Sequence, residues 1–591
     1  MLPHDATDAI AAVAEIGAER RRRRRPPWPA WVYAALVALY LVPFWAVPGY
    51  LPSTDGPSHV YNAWLLGELA GPAPARLLRA YYTINPQPVP NSLTHLALAA
   101  LLWALPPAAA EKALLSAYVL LLAGALWYLA GAVDRERAWL ALLGLPFAWN
   151  MLLGYGFYNF LFSVPLLLLA LGLWWRHRDR PGPGFAAALV GLLLACYFAH
   201  ILAAVLALAG IGVLWLASWR RERWRGHLVH LAILAPAAVL PVWFTMVRPG
   251  GPGYPSDASW QTLWSDLAHL RTLWQFSGER GETGAILAKV FAAWVAFTLT
   301  RAAMARRRPG TTGSPGAEPP LPSLWAWVRS SPAPPSGLGP TPKGREGEGP
   351  PPRNRWWWWR EEDAFLVLAL LLAGLYFLSP GGTAGGGFLQ PRLLLYPFLV
   401  VLPWLSTDVG RWGRAAAVVA LAALAAYPVT WAVPCYRAGA RDVEAFVHGL
   451  DAVPPGSVVV PLVFDRHTTS CMRSGSVDHA AGYAAVAKGL VDWDNYEAQT
   501  DLFPVRFRAW AVRPTRLGVE NDPLHLRVHE LRSRVDYIYC WRMPPGAPVA
   551  GGLARQCTLV AASDQWRLYA TQPPPEARSG SSKASPAAYS P

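Results

Sequence analysis

The stretch TDGPSHVYNAWLL, residues 54–66, brings a carboxylate, a hydroxyl, an imidazole and an amide into one short segment. Asp55 is the group in it that can take a proton from a hydroxyl as a general base. The same residue type also serves as a turn or capping residue. Pro57 suits the first turn of a helix, and Val60, Tyr61, Trp64, Leu65 and Leu69 then fall on one side at helical spacing. His59 and Asn62 face elsewhere, where they could orient the carboxylate or a substrate. This pattern predicts a helix lying on a membrane surface with Trp64 at headgroup level.

Other candidate groups are scattered. Arg392 follows the Gly-rich SPGGTAGGGFLQ segment and begins an apolar run. An arginine there can grip a phosphate with its planar fork, or it can be a snorkelling anchor. His200 interrupts the run 184–218, and broken helices often line cavities; the alternative is a polar turn residue. His95 and Lys112 are weaker candidates, and Tyr155, Phe157, Tyr158 and Asn159 fit either a binding-site wall or an aromatic belt. Asp492-Trp493-Asp494 is a three-residue D-x-D match of the kind that arises by chance, so no metal site is assigned. There is no Walker sequence, no G-x-G-x-x-G after a strand and no C-x-x-C pair. No cofactor is expected.

These residues must be positioned by apolar elements. The chain has 591 residues, of which 53% are hydrophobic and 15% charged, too little charge for a soluble protein of this size. The fold class expected is a mainly α polytopic membrane protein with about 11 transmembrane helices and a small C-terminal α/β domain. The net charge of +15 comes with no recognition motif, so nucleic acid is excluded as a partner. Its arginines cluster at the ends of apolar runs, starting with Arg20–Arg25 before the first, and the positive-inside rule places them in the cytoplasm. The N-terminus is then inside, the lipid bilayer is the first partner, and the C-terminal domain lies outside.

The expected organisation is a cytoplasmic Arg-rich tail at 1–30 and a transmembrane core at 31–305 with an outer loop at 49–108. A disordered cytoplasmic linker rich in Pro, Gly and Ser follows at 306–360, then further transmembrane helices at 361–434. An extracytoplasmic α/β domain at 435–572 and a disordered tail at 573–591 complete the chain. Within the outer loop, residues 92–105 read as an interfacial or re-entrant helix. Cys435, Cys471, Cys540 and Cys557 fall in the outer domain and allow three pairings; Cys540 with Cys557 is preferred, free thiols being the alternative.

An N-terminal span, an acidic motif with an amphipathic helix, a second short apolar helix and a string of arginine-flanked spans together resemble the GT-C membrane glycosyltransferases, such as protein O-mannosyltransferases and the aminoarabinose transferase of lipid A. The resemblance covers roughly residues 31–300. It rests on TDGPSHVYNAWLL and on PNSLTHLALAALLWALPPAAAEKALLSAYVLLLAGALWYLAG. Where the commonest form of the family has an acidic residue after the Asp, this chain has Gly56, leaving one carboxylate in the motif. The resemblance implies transfer of a sugar from a polyprenyl-phosphate donor to a glycan, lipid or protein acceptor on the outer face of the cytoplasmic membrane. Asp55 is the implied base, with His59, Asn62, His200 and Arg392 around the substrates. The competing reading is a non-enzymatic membrane protein that transports or helps assemble lipid-linked glycans. The absence of an internal repeat and the scarcity of mid-span charge favour the enzyme.

Overall fold

The computed structural model describes residues 28–73, 75–247, 258–271, 273–276, 282–307, 360–382, 387–466, 471–514, 517, 519 and 522–572. The Arg-rich tail before Trp28, the linker from 308 to 359 and the tail from 573 lie outside the described residues.

The apolar runs form α1 (Trp28–Trp45), α2 (Gly56–Ala70), α3 (Leu93–Leu102), α4 (Pro107–Ala130), α5 (Tyr158–His177), α6 (Pro183–Ala199) and α7 (Ile201–Ala217). They continue as α8 (Trp224–Val247), α9 (Trp260–His269), α10 (Glu282–Arg307), α11 (Asp363–Leu378), α12 (Leu389–Val400) and α13 (Gly410–His448). Among the described residues, six helices are long and apolar enough to cross a membrane: α1, α4, α5, α8, α10 and α13. The outer faces of α1 and α8 expose Trp31, Val42, Leu231, Val239 and Met246. Such apolar faces suit lipid rather than water.

Several runs depart from simple spans. The run 184–218 is two 17-residue helices, as expected, broken at His200, which takes an extended conformation (φ −164°, ψ 128°). The apolar run 137–153 is a chain of short turns rather than one helix (Arg135–Leu140, Ala141–Gly144, Leu145–Trp149, Met151–Gly154). Pro146 supplies no N–H. The Asn150 side chain donates to Phe147 O (2.7 Å) and accepts from Leu153 N–H (3.1 Å), competing with the helical ladder. The run 391–405 gives only the 12-residue α12, followed by a 3-10 turn at Pro403. α13 runs on for 39 residues through Pro428 and Pro434, so the last apolar helix and the first helix of the C-terminal unit are one rod.

At one end of the bundle, arginines that follow different apolar helices converge on carboxylates. Arg178 reaches Glu361 at 2.7 Å, joined there by Arg220; Arg414 reaches Glu136 at 2.8 Å and Arg137 reaches Glu362 at 3.5 Å. At the other end sits the C-terminal unit. Its five-stranded sheet has the order β3-β2-β5-β7-β6: β2 (Val458–Val463), β3 (Val491–Asp492), β5 (Tyr537–Trp541), β6 (Thr558–Ala562) and β7 (Trp566–Ala570). β2 is parallel to β3 and β5; β7 is antiparallel to β5 and β6. α14 (Ala481–Lys488) and α15 (Pro548–Gln556) complete it. A separate ribbon pairs β1 (Tyr82–Ile84), between α2 and α3, with β4 of the C-terminal unit (Val505–Phe507), so the two regions share a sheet.

The disulfide joins Cys435 to Cys471, with Cα atoms 5.4 Å apart, and leaves Cys540 and Cys557 as thiols. The preferred pairing fails because β7 lies between the strand of Cys540 and the one that follows Cys557.

Candidate functional site

α2 begins where its sequence asks it to, with Asp55 at the N-cap and Pro57 in the first turn. The Asp55 side chain makes no capping hydrogen bond. The backbone is instead held by the 154–156 turn: Thr54 N–H donates to Gly154 O (3.2 Å) and Asp55 N–H to Tyr155 O (3.0 Å). Gly156 makes this approach possible. It has a φ of +78°, and a Cβ there would stand 2.6 Å from Gly56 N.

The freed carboxylate faces a cavity of about 340 Å³ between the helical bundle and the C-terminal unit, whose wall includes Tyr155, Phe157, Phe388, Arg466, Asp478, His479 and Tyr496. Asp55 is buried, its Oδ1 lies 3.7 Å from His479 Nε2, and it is hydrogen-bonded to Tyr496. Burial pushes its pKa well above the ordinary carboxylate value; the Tyr496 hydrogen bond and the charge of Arg392 pull against that rise without cancelling it.

Arg392, at the start of α12, stacks its guanidinium 4.7 Å from the centre of the Phe157 ring, and Phe157 lines the cavity. Its Nη1 lies 3.3 Å from His200 Nε2, and its Nε is buried without a hydrogen-bond partner. His200 Nδ1 accepts the Leu202 N–H (3.2 Å) as the cap of α7. In the neutral ring the proton is then on Nε2, so two donors face each other beside Asp55.

The other predicted residues point away from this cavity. α2 is covered on both sides rather than lying on a surface: it packs on α3 and on α14, and only Trp64 and the last turn are partly open. Asn62 exchanges amide hydrogen bonds with Asn495, 2.9 Å in each direction. His59 and His95 both meet Glu497 at 2.7 Å. Asn159 accepts from Thr94 Oγ1 (2.5 Å), and Lys112 donates to Val47 O (2.5 Å). The structure therefore brings Asp55, His200 and Arg392 into one neighbourhood, with His59 and Asn62 one or two turns behind, clamped to the segment DWDNYE (492–497).

Sequence reasoning passed over His479, Tyr496, Glu497 and Glu111. Glu111 accepts from Tyr158 and Tyr483, 2.6 Å each. Its Oε1 and the Tyr158 hydroxyl fill the space a side chain on Gly56 would need. The available signal was DWDNYE itself, a dense polar run in the C-terminal unit. Burial alone would raise the pKa of Glu497; His59 and His95 outweigh it and hold the carboxyl at about 2. A second cavity of about 400 Å³ at the arginine-rich end is lined by Arg178 and Arg220, both paired with Glu361, and by Asp179, His227 and His230.

Comparison with protein-family models and with curated proteins gives no match to this chain.

Proposed function

We propose that the chain is a membrane glycosyltransferase of the GT-C type that moves a sugar from a polyprenyl-phosphate donor to a hydroxyl acceptor. The observation that carries the reading is Asp55: a buried carboxylate at a helix N-cap, unused by the cap, facing a cavity between apolar helices and an outer domain. Asp55 takes the acceptor's proton as general base. The acceptor oxygen attacks the anomeric carbon, and the bond from that carbon to the phosphate oxygen breaks. The lipid phosphate leaves with the bonding pair. Arg392, with its unused Nε and its donor-to-donor contact with His200, meets the departing phosphate, which supplies the acceptor both groups lack. Tyr155, Phe157 and Phe388 offer ring faces to the sugar.

In this reading the arginine-rich end lies in the cytoplasm and the C-terminal unit outside the cytoplasmic membrane. The alternative, a carrier or assembly factor for lipid-linked glycans, needs no proton acceptor at the cavity. The deciding experiment supplies purified full-length protein in lipid nanodiscs with polyprenyl-phosphate sugars identified by mass spectrometry in cells lacking the chain. Transfer that is lost in Asp55→Asn supports the enzyme. Binding without transfer, unchanged in Asp55→Asn, supports the carrier.

A further inference from the structure

Behind the cavity, three ligand-type side chains from distant parts of the chain meet in the protein interior. His59 comes from α2, His95 from α3 and Glu497 from the outer domain; all three are buried, and their ligand atoms lie within 4.8 Å of one another. We propose that His59 Nδ1, His95 Nε2 and the Glu497 carboxylate form a site for one divalent cation of the zinc type, which fastens the outer domain to the two short helices of the outer loop.

The hydrogen-bond valences are the first argument. His95 Nδ1 lies 2.9 Å from the Asn91 carbonyl, which can only accept, and 3.4 Å from Asn159 Nδ2, a donor; the shorter contact places a proton on Nδ1. In the neutral ring Nε2 is then bare, yet it faces Glu497 Oε2 at 2.7 Å and His59 Nδ1 at 3.2 Å. A carboxylate oxygen also only accepts. Either His95 carries a second proton or a cation occupies the meeting point. A ring held by a carbonyl on its far nitrogen is the usual support of a metal-ligating histidine.

The second argument is the other carboxylate oxygen. Glu497 Oε1 is buried and accepts no hydrogen bond, although it is 2.7 Å from His59 Nδ1; the contact is close but misaligned for a proton. A metal ion removes that deficit, since it binds oxygen and nitrogen lone pairs alike. Two nitrogens bound to tetrahedral zinc at ~2.05 Å stand about 3.3 Å apart, and here they are 3.2 Å apart; the two nitrogen–oxygen contacts, 2.7 Å each, are shorter than that and open as the ion enters. Two imidazoles and a carboxylate suit zinc better than magnesium or calcium, which prefer all-oxygen shells. With both carboxylate oxygens turned to the nitrogens, a bidentate Glu497 fills a four-coordinate sphere. None of the three residues lines the cavity at Asp55, so the site is structural rather than catalytic. Its consequence is positional. Glu497 is the neighbour of Tyr496, which meets Asp55, and His59 stands one turn from Asp55.

The test uses the tag-free full chain in detergent, stripped with a chelator, reloaded with Zn²⁺ or Co²⁺ alone and desalted. The expected result is retention of about one equivalent of metal, with the intense visible absorption of four-coordinate cobalt. Glu497→Gln, close in shape, is expected to retain at least tenfold less. Should that variant not fold, X-ray absorption on the metal-loaded wild type decides, the expectation being two imidazole nitrogens with carboxylate oxygen. Failure of the wild type to retain metal, retention by Glu497→Gln equal to wild type, or a shell containing cysteine sulfur would each overturn the site and leave an imidazolium–carboxylate clamp. None of these readouts depends on sugar transfer.

Discussion

Asn62 and Asn495 face each other across the join between α2 and the C-terminal unit, each amide donating to the other's carbonyl oxygen at 2.9 Å. The pair is fully satisfied and buried, so it fixes register: a shift of DWDNYE by one residue leaves two buried amides unmatched. In this register Tyr496 meets Asp55 and Glu497 meets His59. Asn62→Ala strands the Asn495 amide. We expect about 1–3 kcal/mol of lost stability, read as a lower melting temperature, while Asn62→Ala combined with Asn495→Ala recovers part of that loss.

Asp55→Asn separates catalysis from capping. Asn is as good an N-cap as Asp, and the Asp55 side chain caps nothing. Expression should therefore match wild type and the melting temperature should not fall, burial of the ionised carboxylate being itself unfavourable, while transfer falls by ~10²-fold or more. Near-normal transfer by the folded variant would remove Asp55 from its role.

Arg392→Ala should weaken binding of a polyprenyl-phosphate sugar by roughly tenfold or more, the scale of one lost charge-assisted hydrogen bond. Arg392→Lys keeps the charge but lacks the fork and should fall between. Titration of both variants in nanodiscs measures this. Unchanged affinity in Arg392→Ala would identify the residue as a structural anchor.

Asp492 gives a pH test of stability. Burial raises its carboxyl from 3.8 to about 7, against the Asp494 N–H and Arg513, which lower it. Between those values the folded chain still holds a proton that the unfolded chain has released. Stability therefore declines as pH rises through this window, by up to about 4 kcal/mol, and changes no further above it. Asp492→Asn removes the penalty and keeps the acceptor for Asp494 N–H. The variant should melt higher than wild type at pH 8, with the gap closing towards pH 4. An equal gap at both pH values would count against the linkage.

What the sequence made legible was what short-range pattern controls. The helix at Gly56, its Pro57 start, the break at His200 and the short helix at 93–102 all follow from apolar period and turn residues. Asp55, His200 and Arg392 stood out because each interrupts an apolar context. Tyr496, His479 and Glu497 did not, because their roles depend on pairings more than 400 residues away along the chain, such as that of His95 with Glu497 at a separation of 402. The disulfide, between cysteines 36 residues apart, was misjudged because pattern does not give strand order. Adjacency in sequence favoured Cys540 and Cys557, whereas the sheet order puts β7 between their strands.

Tyr496 supplies the sharpest test of the Asp55 site. A general base works only when deprotonated, so a base whose pKa is raised gives a rate that climbs with pH above the ordinary carboxylate range. The Tyr496 hydroxyl donates to the Asp55 carboxylate and lowers that pKa, against the larger effect of burial, which raises it. Tyr496→Phe deletes the donor and leaves the ring. Deprotonating Asp55 then becomes harder, and the ascending limb of kcat/KM against pH should move to higher pH. Well above the shifted limb the base is fully ionised in both proteins, and turnover should approach the wild-type value or exceed it. A residue that merely filled space would instead lower the rate equally at every pH or leave it unchanged. A limb that stays in place in a well-folded Tyr496→Phe protein would mean that Asp55 is not the titrating base.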